Sequence, residues 1–111
     1  MRHRGQFSAA ERKVRSALAK LVHDRRLLRG SLVTMARTCG NPRCKCARGE
    51  KHVSLYLSIR VKGGRKMIYV PSAWEERVRL WVGAYREVDA LVDEVSAACL
   101  ERFLRETDRV P

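Results

Sequence analysis

Three cysteines and one histidine lie within fourteen residues of each other in the basic part of the chain: Cys39, Cys44, Cys46 and His52. Thiolate sulfur and imidazole nitrogen are the ligands that structural zinc prefers, and four of them complete a tetrahedral shell. Glycine and proline residues between them favour the tight turns that would bring the four side chains together. The sequence therefore predicts a zinc site with these four ligands.

Three cations beside the cysteines favour the thiolate form that binds metal: Arg43, Lys45 and Arg48. An iron–sulfur or redox role, or three free thiols, are the alternatives. His52 begins a predicted strand, so His23 or Glu50 could replace it as the fourth ligand. His23 itself fits a solvated helix surface better. The fourth cysteine, Cys99, falls on an apolar helix face, which predicts a buried core residue.

The charge of the chain is large and one-sided. The net charge is +12; the first 71 residues carry 18 Lys and Arg against three acids, and the rest carry six against nine. Such a field attracts phosphate backbones, and arginine, which supplies most of it, suits bidentate phosphate contacts. A merely solvated surface is the alternative. The charge pattern favours nucleic acid as the partner.

The cations cluster around the predicted metal loop, where nine basic residues between positions 37 and 66 accompany one acid, Glu50. The predicted phosphate contacts are Arg37, Arg43, Lys45, Arg48, Lys51, Arg60, Lys62, Arg65 and Lys66, with Arg25 and Arg26 on the first helix. Tyr56 and Tyr69 beside Arg60 could stack bases of a single strand. Alternatively, the metal loop or a second protomer covers that face.

A helix over residues 8–29 precedes these motifs. Ser8 is a typical N-cap, Glu11 completes a capping box, and Gly30 ends the helix. Residues 31–39 are predicted to form a first strand that leads into the metal loop. Residues 52–61 alternate between apolar and polar side chains and form a second strand.

Gly63 and Gly64 predict the two-residue turn of a hairpin. That turn pairs Lys62 with Arg65, Ile59 with Ile68, Leu57 with Val70 and Ser58 with Tyr69.

Ser72 is expected to cap a long helix over residues 72–106. Its predicted seam has steps of four and three: Trp74, Val78, Trp81, Tyr85, Val88, Val92, Val95 and Cys99. The two helices should pack antiparallel, with the end of the second projecting beyond the first. Leu100, Phe103 and Leu104 on that projection need cover, which predicts a homodimer through the C-terminal helix.

The fold class is therefore α+β, in the order α-β-(Zn loop)-β-β-α, with two antiparallel helices flanking a small three-stranded antiparallel sheet. With 111 residues, 45% of them hydrophobic, the chain suits a single domain over residues 1–111, with a zinc-loop β module at 31–71. No apolar run is long enough for a membrane span, and the N-terminus has no apolar signal core. We expect a cytoplasmic protein that does not contact membranes.

The stretch from Arg29 to Val33, together with Cys39-Gly40-x-Pro42-x-Cys44-x-Cys46-Ala47-x-Gly49-x-x-His52, resembles a family of short uncharacterised bacterial proteins. Members look like zinc-loop domains followed by a tyrosine-rich hairpin, and some occur beside phage or mobile-element genes. Where members often continue the histidine with Gly-Pro-Tyr, this chain has Val53-Ser54-Leu55-Tyr56. The resemblance implies the same metal ligands, no established activity, and DNA rather than RNA as the nucleic acid.

These features predict a small zinc-binding protein that binds nucleic acid, as a regulator or accessory of a mobile element. A protein-interaction adaptor that uses the helical stem is the alternative. We do not expect an enzyme, because four ligands close a zinc shell and the sequence has no carboxylate pair or activated nucleophile.

Overall fold

The computed structural model describes residues 7–37, 43 and 52–107, and of Arg37 and His52 it describes the backbone alone. The three cysteines of the predicted metal loop, Cys39, Cys44 and Cys46, lie outside the described residues, as do Lys45, Arg48 and Lys51. The described chain folds in the order α1 (Ala9–Asp24), β1 (Ser31–Arg37), β2 (His52–Val61), β3 (Gly64–Val70), a 3₁₀ turn (Ser72–Trp74) and α2 (Glu75–Thr107). The α+β class, with two helices and a three-stranded antiparallel sheet, is confirmed.

The chain divides into two compact units. The sheet unit is Leu28–Gly83, and the helical unit combines Met1–Leu27 with Ala84–Pro111. Helix α2 crosses the boundary and contributes its first residues to the sheet unit. That the chain is one domain stays a prediction.

In the sheet, β2 lies between β1 and β3, and both pairings are antiparallel. Because side chains alternate along a strand, Leu55 and Leu57 lie on one face with Val70. These residues form the core of the unit with Val78 and Val82 from α2, and Leu28, Leu32 and Ile59 pack against them. We call this side of the sheet the core face. The other side is the tyrosine face, named for Tyr56 and Tyr69.

The predicted hairpin register is wrong by two residues. The turn is Lys62-Gly63, one position earlier than expected, and Gly63 supplies its positive φ of 88°. Consequently Leu57 pairs with Ile68 and Ser58 with Met67, while Arg60, not Lys62, pairs with Arg65. A shift of two residues keeps every side chain on its predicted face, because the side-chain period of a strand is two. The apolar pattern therefore could not reveal the error.

Helix α1 begins as predicted and ends five residues early. The Ser8 hydroxyl accepts a hydrogen bond from the Glu11 backbone N–H at 3.0 Å, which satisfies one of the unpaired donors at the helix start. The chain turns extended at Arg25, so the helix ends at Asp24 rather than at residue 29. Leu28, which was predicted to belong to α1, contacts the sheet unit instead. Its N–H donates to the Trp81 carbonyl at 3.1 Å, and its side chain packs against the core of that unit.

Gly30 was expected to end α1, but it lies against the central strand of the sheet instead. A Cβ at this position would lie 2.8 Å from Leu57 Cδ1, 3.0 Å from the Ser58 carbonyl oxygen and 3.3 Å from Ile59 Cγ2. Such distances are shorter than close-packed atoms accept. Glycine is favoured here because the chain passes directly against the central strand.

The predicted seam of α2 is correct over its first turns and wrong further on. Ser72 lies inside the 3₁₀ turn, where no side-chain capping bond occurs, and Trp74 precedes the α-helix. Val78 and Val88 are buried, yet Val92 is 45% exposed and Cys99 is exposed. Val95 of the seam is half-buried as predicted, and Leu91 and Ala98 are half-buried in place of Val92 and Cys99. A single straight helix keeps a period of 3.6, so its inward face drifts away from a strict heptad pattern.

In the helical unit the start of α1 lies beside the end of α2. Phe7 and Glu11 line the same groove as Phe103 and Thr107, and the Arg15 guanidinium lies 3.9 Å from the Cys99 sulfur. The end of α2 therefore does not project beyond α1 as expected. The projection was expected because residues up to position 29 were predicted as helix, which advances about 1.5 Å per residue; the chain leaves the helix after Asp24, and non-helical residues can advance up to about 3.3 Å each.

The helices of this unit carry their own ion pairs. Glu11 binds Arg15 at 2.8 Å, and Arg102 donates to Glu106 at 2.6 Å. The hydrogen bond that Arg102 donates to the Glu106 carboxylate raises the pKa of Arg102. Among the helices that the structure describes, none combines the length and apolar character needed to cross a bilayer.

Candidate nucleic-acid interface

The tyrosine face carries aromatic, apolar and cationic side chains in rows across the sheet. Val33, Tyr56 and Tyr69 form one row, since Val33 pairs with Tyr56 and Tyr56 with Tyr69. The next row contains Ser58 and Met67, and the Arg60–Arg65 pair lies beside the turn. All of these residues belong to the sheet unit.

The two tyrosines contact each other directly. Their ring centroids are 5.8 Å apart and their planes are inclined by 67°, an edge-to-face arrangement that aromatic pairs prefer. Tyr56 is half-buried, whereas Tyr69 is 54% exposed and Met67 beside it is 43% exposed. The predicted grouping of the tyrosines on one face is therefore present, with an open aromatic surface at Tyr69.

Arg60 and Arg65 are directly opposite each other, although like charges in that position destabilise a sheet. Arg65 is held in place by a hydrogen bond from its Nε to the Ser58 hydroxyl at 3.0 Å. Ser58 is the buried polar residue of the described chain, with 6% of its surface exposed. The bond thus fixes one guanidinium on the tyrosine face.

Lys62 and Lys66 complete the cluster of four cations at the hairpin, which we call the hairpin cluster. Both lysines are exposed; Lys62 is in the turn, and Lys66 pairs with Ile59 and so belongs to the core face. Within the part of the chain that the structure describes, no ion pair involves a member of this cluster. The described residues between positions 25 and 74 include no acid at all. Considering only residues 7–37, 43 and 52–107, the hairpin therefore carries positive charge that no acid compensates.

The predicted metal ligands can be placed in part. Arg37, the last residue of β1, pairs with His52, the first residue of β2. Paired residues of an antiparallel ladder have Cα atoms about 5 Å apart, and Cys39 follows Arg37 by two residues, a reach of at most about 7 Å. Among the described residues no group of three potential ligands occurs; the three loop cysteines lie outside that part of the chain. His23, the alternative ligand, is exposed on α1, with 88% of its side chain accessible.

The remaining predicted contacts are distributed over the chain. Arg25 and Arg26 are exposed residues of the helical unit just beyond α1, and Arg43 is exposed. The helical unit also contains a groove of about 420 Å³ lined by three acids and two arginines: Glu11, Glu94, Glu101, Arg102 and Arg105. Because its charges have both signs, this groove favours an anionic ligand far less than the hairpin does.

Two contributors to the tyrosine face were missed in the sequence. Ser58 positions Arg65, and Val33 extends the aromatic row onto β1. Alternation along β2 places Ser58 with Tyr56, so its face could have been deduced, but its partner depended on the register. The face of Val33 followed only once β1 was paired with β2.

Comparison with known proteins gives one match. Residues 7–80 fit the family model described as a domain of unknown function, DUF6788, which spans α1, the whole sheet and the first turns of α2. No curated protein and no solved structure matches the chain. The match covers the tyrosine face and the hairpin cluster together with the elements that position them. The chain therefore belongs to the DUF6788 family, a domain of unknown function.

Proposed function

We propose that this protein binds nucleic acid through the hairpin of its sheet unit, with DNA as the expected ligand and RNA as the alternative, and that a zinc ion stabilises the loop between β1 and β2. The proposal assigns no catalytic role. A place in a mobile element remains part of the hypothesis and is not needed for the binding argument.

The observation that carries the proposal is the hairpin cluster. Arg60 and Arg65 repel each other across the ladder, and no described acid compensates them. A bound phosphate would relieve this repulsion, and a guanidinium held by Ser58 loses less side-chain freedom on binding. Phosphate contacts of this kind supply affinity without reading the base sequence.

The first test is the salt dependence of binding. The protein would be titrated into a fluorescently labelled DNA duplex, and into an RNA duplex of the same sequence, at salt concentrations between 50 and 200 mM. Fluorescence anisotropy of the label measures the binding constant at each concentration. If the four cations of the hairpin cluster each neutralise one phosphate, the log–log slope is about −3.6 for a duplex, or about a 150-fold loss over that range. No binding at the lower salt concentration, or a slope near zero, would contradict the proposal.

Matched double variants separate the hairpin from the general charge of the protein. Lys62→Ala with Lys66→Ala should reduce the slope by about two. Lys13→Ala with Lys20→Ala removes the same charge from exposed positions on α1 and should change the slope much less. Equal effects of both pairs would mean that net charge, rather than the hairpin, determines binding.

The zinc part of the proposal is supported by the ends of the loop. Arg37 and His52 are paired at the two ends of the segment that contains the predicted ligands; His52 is itself one of them, and Cys39 follows Arg37 by two residues in the sequence. Cys44 and Cys46 lie between Cys39 and His52 in sequence and can close the shell. A metal at this position would tie the loop to the end of the sheet.

Elemental analysis of the purified protein tests the metal. We expect one zinc per chain, and loss of it when Cys39, Cys44 and Cys46 are all replaced by serine. His52→Ala should weaken zinc retention against a chelator, whereas His23→Ala should not, because His23 is an exposed residue of α1. Protein that contains no stoichiometric metal, or a triple variant that melts at the wild-type temperature, would exclude a structural zinc.

We also propose that the protein forms a homodimer through the end of α2. Leu100, Phe103 and Leu104 are each more than half exposed there, and exposed apolar clusters mark interfaces. The same observation favours the alternative function of an adaptor for another protein. Light scattering distinguishes them: a dimer that Phe103→Glu converts to a monomer supports self-association. A monomeric wild-type protein contradicts it and leaves the adaptor.

A further inference from the structure

The aromatic row of the tyrosine face is a second feature that phosphate binding does not explain. Val33, Tyr56 and Tyr69 cross all three strands, and Tyr69 exposes more than half of its surface. On the core face the corresponding residues, Leu55 and Leu57, are buried against α2. The exposed row thus offers apolar ring surface next to a cationic cluster.

The spacing between the rings and the cations is short and fixed. The tyrosine pair and the Arg60–Arg65 pair are separated by four residues along each strand, or about 13 Å. Met67 lies between them on β3, partly exposed. The bond from Arg65 to Ser58 holds one guanidinium, and the edge-to-face contact holds the two tyrosines, in position before any ligand arrives.

We infer that the tyrosine face binds single-stranded nucleic acid, with a base stacked on Tyr69 and backbone phosphates on Arg60 and Arg65. This inference rests on the proposed function and specifies its ligand. Unstacked bases present their flat surfaces to aromatic side chains, whereas the bases of a duplex are already stacked on one another. The observed combination of an open ring and adjacent guanidinium groups fits a single strand.

Charge complementarity distinguishes this ligand from a protein partner. Arg60 and Arg65 lie on this face, and none of its described residues is an acid, so the face favours an anionic partner, and the exposed ring of Tyr69 favours one with flat groups. A nucleic-acid strand provides both properties at regular intervals. DNA and RNA both have negative phosphates and flat bases. The experiment distinguishes them through the ribose 2′-hydroxyl, which only RNA carries.

The experiment compares four labelled probes of about twelve nucleotides at low salt: oligodeoxyuridylate, oligouridylate, a DNA duplex, and an abasic oligomer that keeps the phosphates without bases. A purely electrostatic surface binds the duplex at least as tightly as a single strand, because the duplex has the higher charge density. We expect the wild-type protein to prefer the single strands to both the duplex and the abasic oligomer. Tighter binding of one single strand over the other identifies DNA or RNA.

Substitutions at Tyr69 test the ring directly. Tyr69→Thr removes the ring and keeps a residue suited to a strand, and it should weaken single-strand binding about 5- to 150-fold while leaving the abasic oligomer unchanged. Tyr69→Phe keeps the ring and should bind like the wild type. Melting temperatures of both variants exclude unfolding as the cause, and if Tyr69→Thr is unfolded, Tyr69→Leu replaces it.

Arginine substitutions provide the matched control for the phosphates. Arg60→Ala with Arg65→Ala should weaken single-strand binding more than Lys62→Ala with Lys66→Ala. Both pairs remove two charges from the hairpin, but neither lysine pairs with a residue of the tyrosine face.

The outcomes separate the two proposals. Salt-sensitive binding of duplex and single strand alike, with folded Tyr69→Thr unaffected, overturns the single-strand inference and leaves the proposed function intact. Binding of none of the four probes overturns both, and would point to an anionic protein partner.

Discussion

Two glycine-to-alanine substitutions should change stability in opposite directions. At position 30 a new Cβ would lie 2.8 Å from Leu57 Cδ1 and 3.0 Å from the Ser58 carbonyl oxygen. The Ser58 oxygen belongs to the backbone of the central strand, so it cannot move without disturbing the ladder. At Gly83, inside α2, nothing lies within 4 Å of the new methyl group.

The size of each effect follows from these surroundings. Over-packing by the new methyl group at Gly30 should lower the free energy of unfolding by about 1–3 kcal/mol. Alanine also reduces the conformational freedom of the unfolded chain, which raises the free energy of unfolding by about 0.4–1 kcal/mol. We therefore expect Gly30→Ala to lower the free energy of unfolding by about 1–2 kcal/mol. Gly83→Ala gains the same entropy and a better helix residue, for about 0.5–1 kcal/mol of added stability.

Thermal and urea denaturation, followed by circular dichroism, measure both variants. At about 4 °C per kcal/mol, the melting temperature should fall by about 4–8 °C for Gly30→Ala and rise by about 2–4 °C for Gly83→Ala. Both φ angles lie outside the left-handed region, so alanine is tolerated by the backbone at both positions. If Gly30→Ala is as stable as the wild type, the close approach of residue 30 to β2 is wrong.

Two further substitutions test the core and the helix start. Val82→Ala removes two methyl groups from a side chain that is 3% exposed and should lower the free energy of unfolding by about 2–3 kcal/mol. Val92→Ala, at a position 45% exposed, should lower it by less than about 1 kcal/mol. Equal losses in urea denaturation would contradict the inward face assigned to α2. Ser8→Ala removes the hydroxyl that caps α1 and should cost about 1 kcal/mol. Ser16→Ala, at an exposed position inside α1, should instead add up to about 0.5 kcal/mol in the same assay, because alanine is the better helix residue. A Ser8→Ala variant as stable as the wild type would show that the cap does not hold the helix.

Much of the local structure was readable from residue types. The alternation over residues 52–61 predicted β2 with its correct bounds, because a half-buried strand must place apolar side chains on every second position. Ser8 predicted the start of α1 because a hydroxyl at that position satisfies a free backbone donor. The same alternation placed Tyr56 and Tyr69 on one face, and thus the main part of the candidate interface.

Other features depended on atoms distant in sequence. The pattern could not distinguish a turn at Lys62-Gly63 from one at Gly63-Gly64, since a slip of two residues leaves every apolar side chain on the core face. The pairing of Arg60 with Arg65, which makes the hairpin cluster repulsive, followed only from the register. The contact of Arg65 with Ser58 required both strands in place.

The sequence by itself determined the fold class, the alternating faces and the concentration of positive charge, because these depend on residue type and period alone. The zinc ligands are a prediction from residue type that metal analysis can test. Only the tertiary structure decided that α1 ends at Asp24, that a side chain at position 30 would crowd β2, and that Val92 and Cys99 face outward. Each of these features depends on which segments approach each other in space. The periodicity of a helix or strand shows which of its sides is apolar, but not which other segment packs against that side.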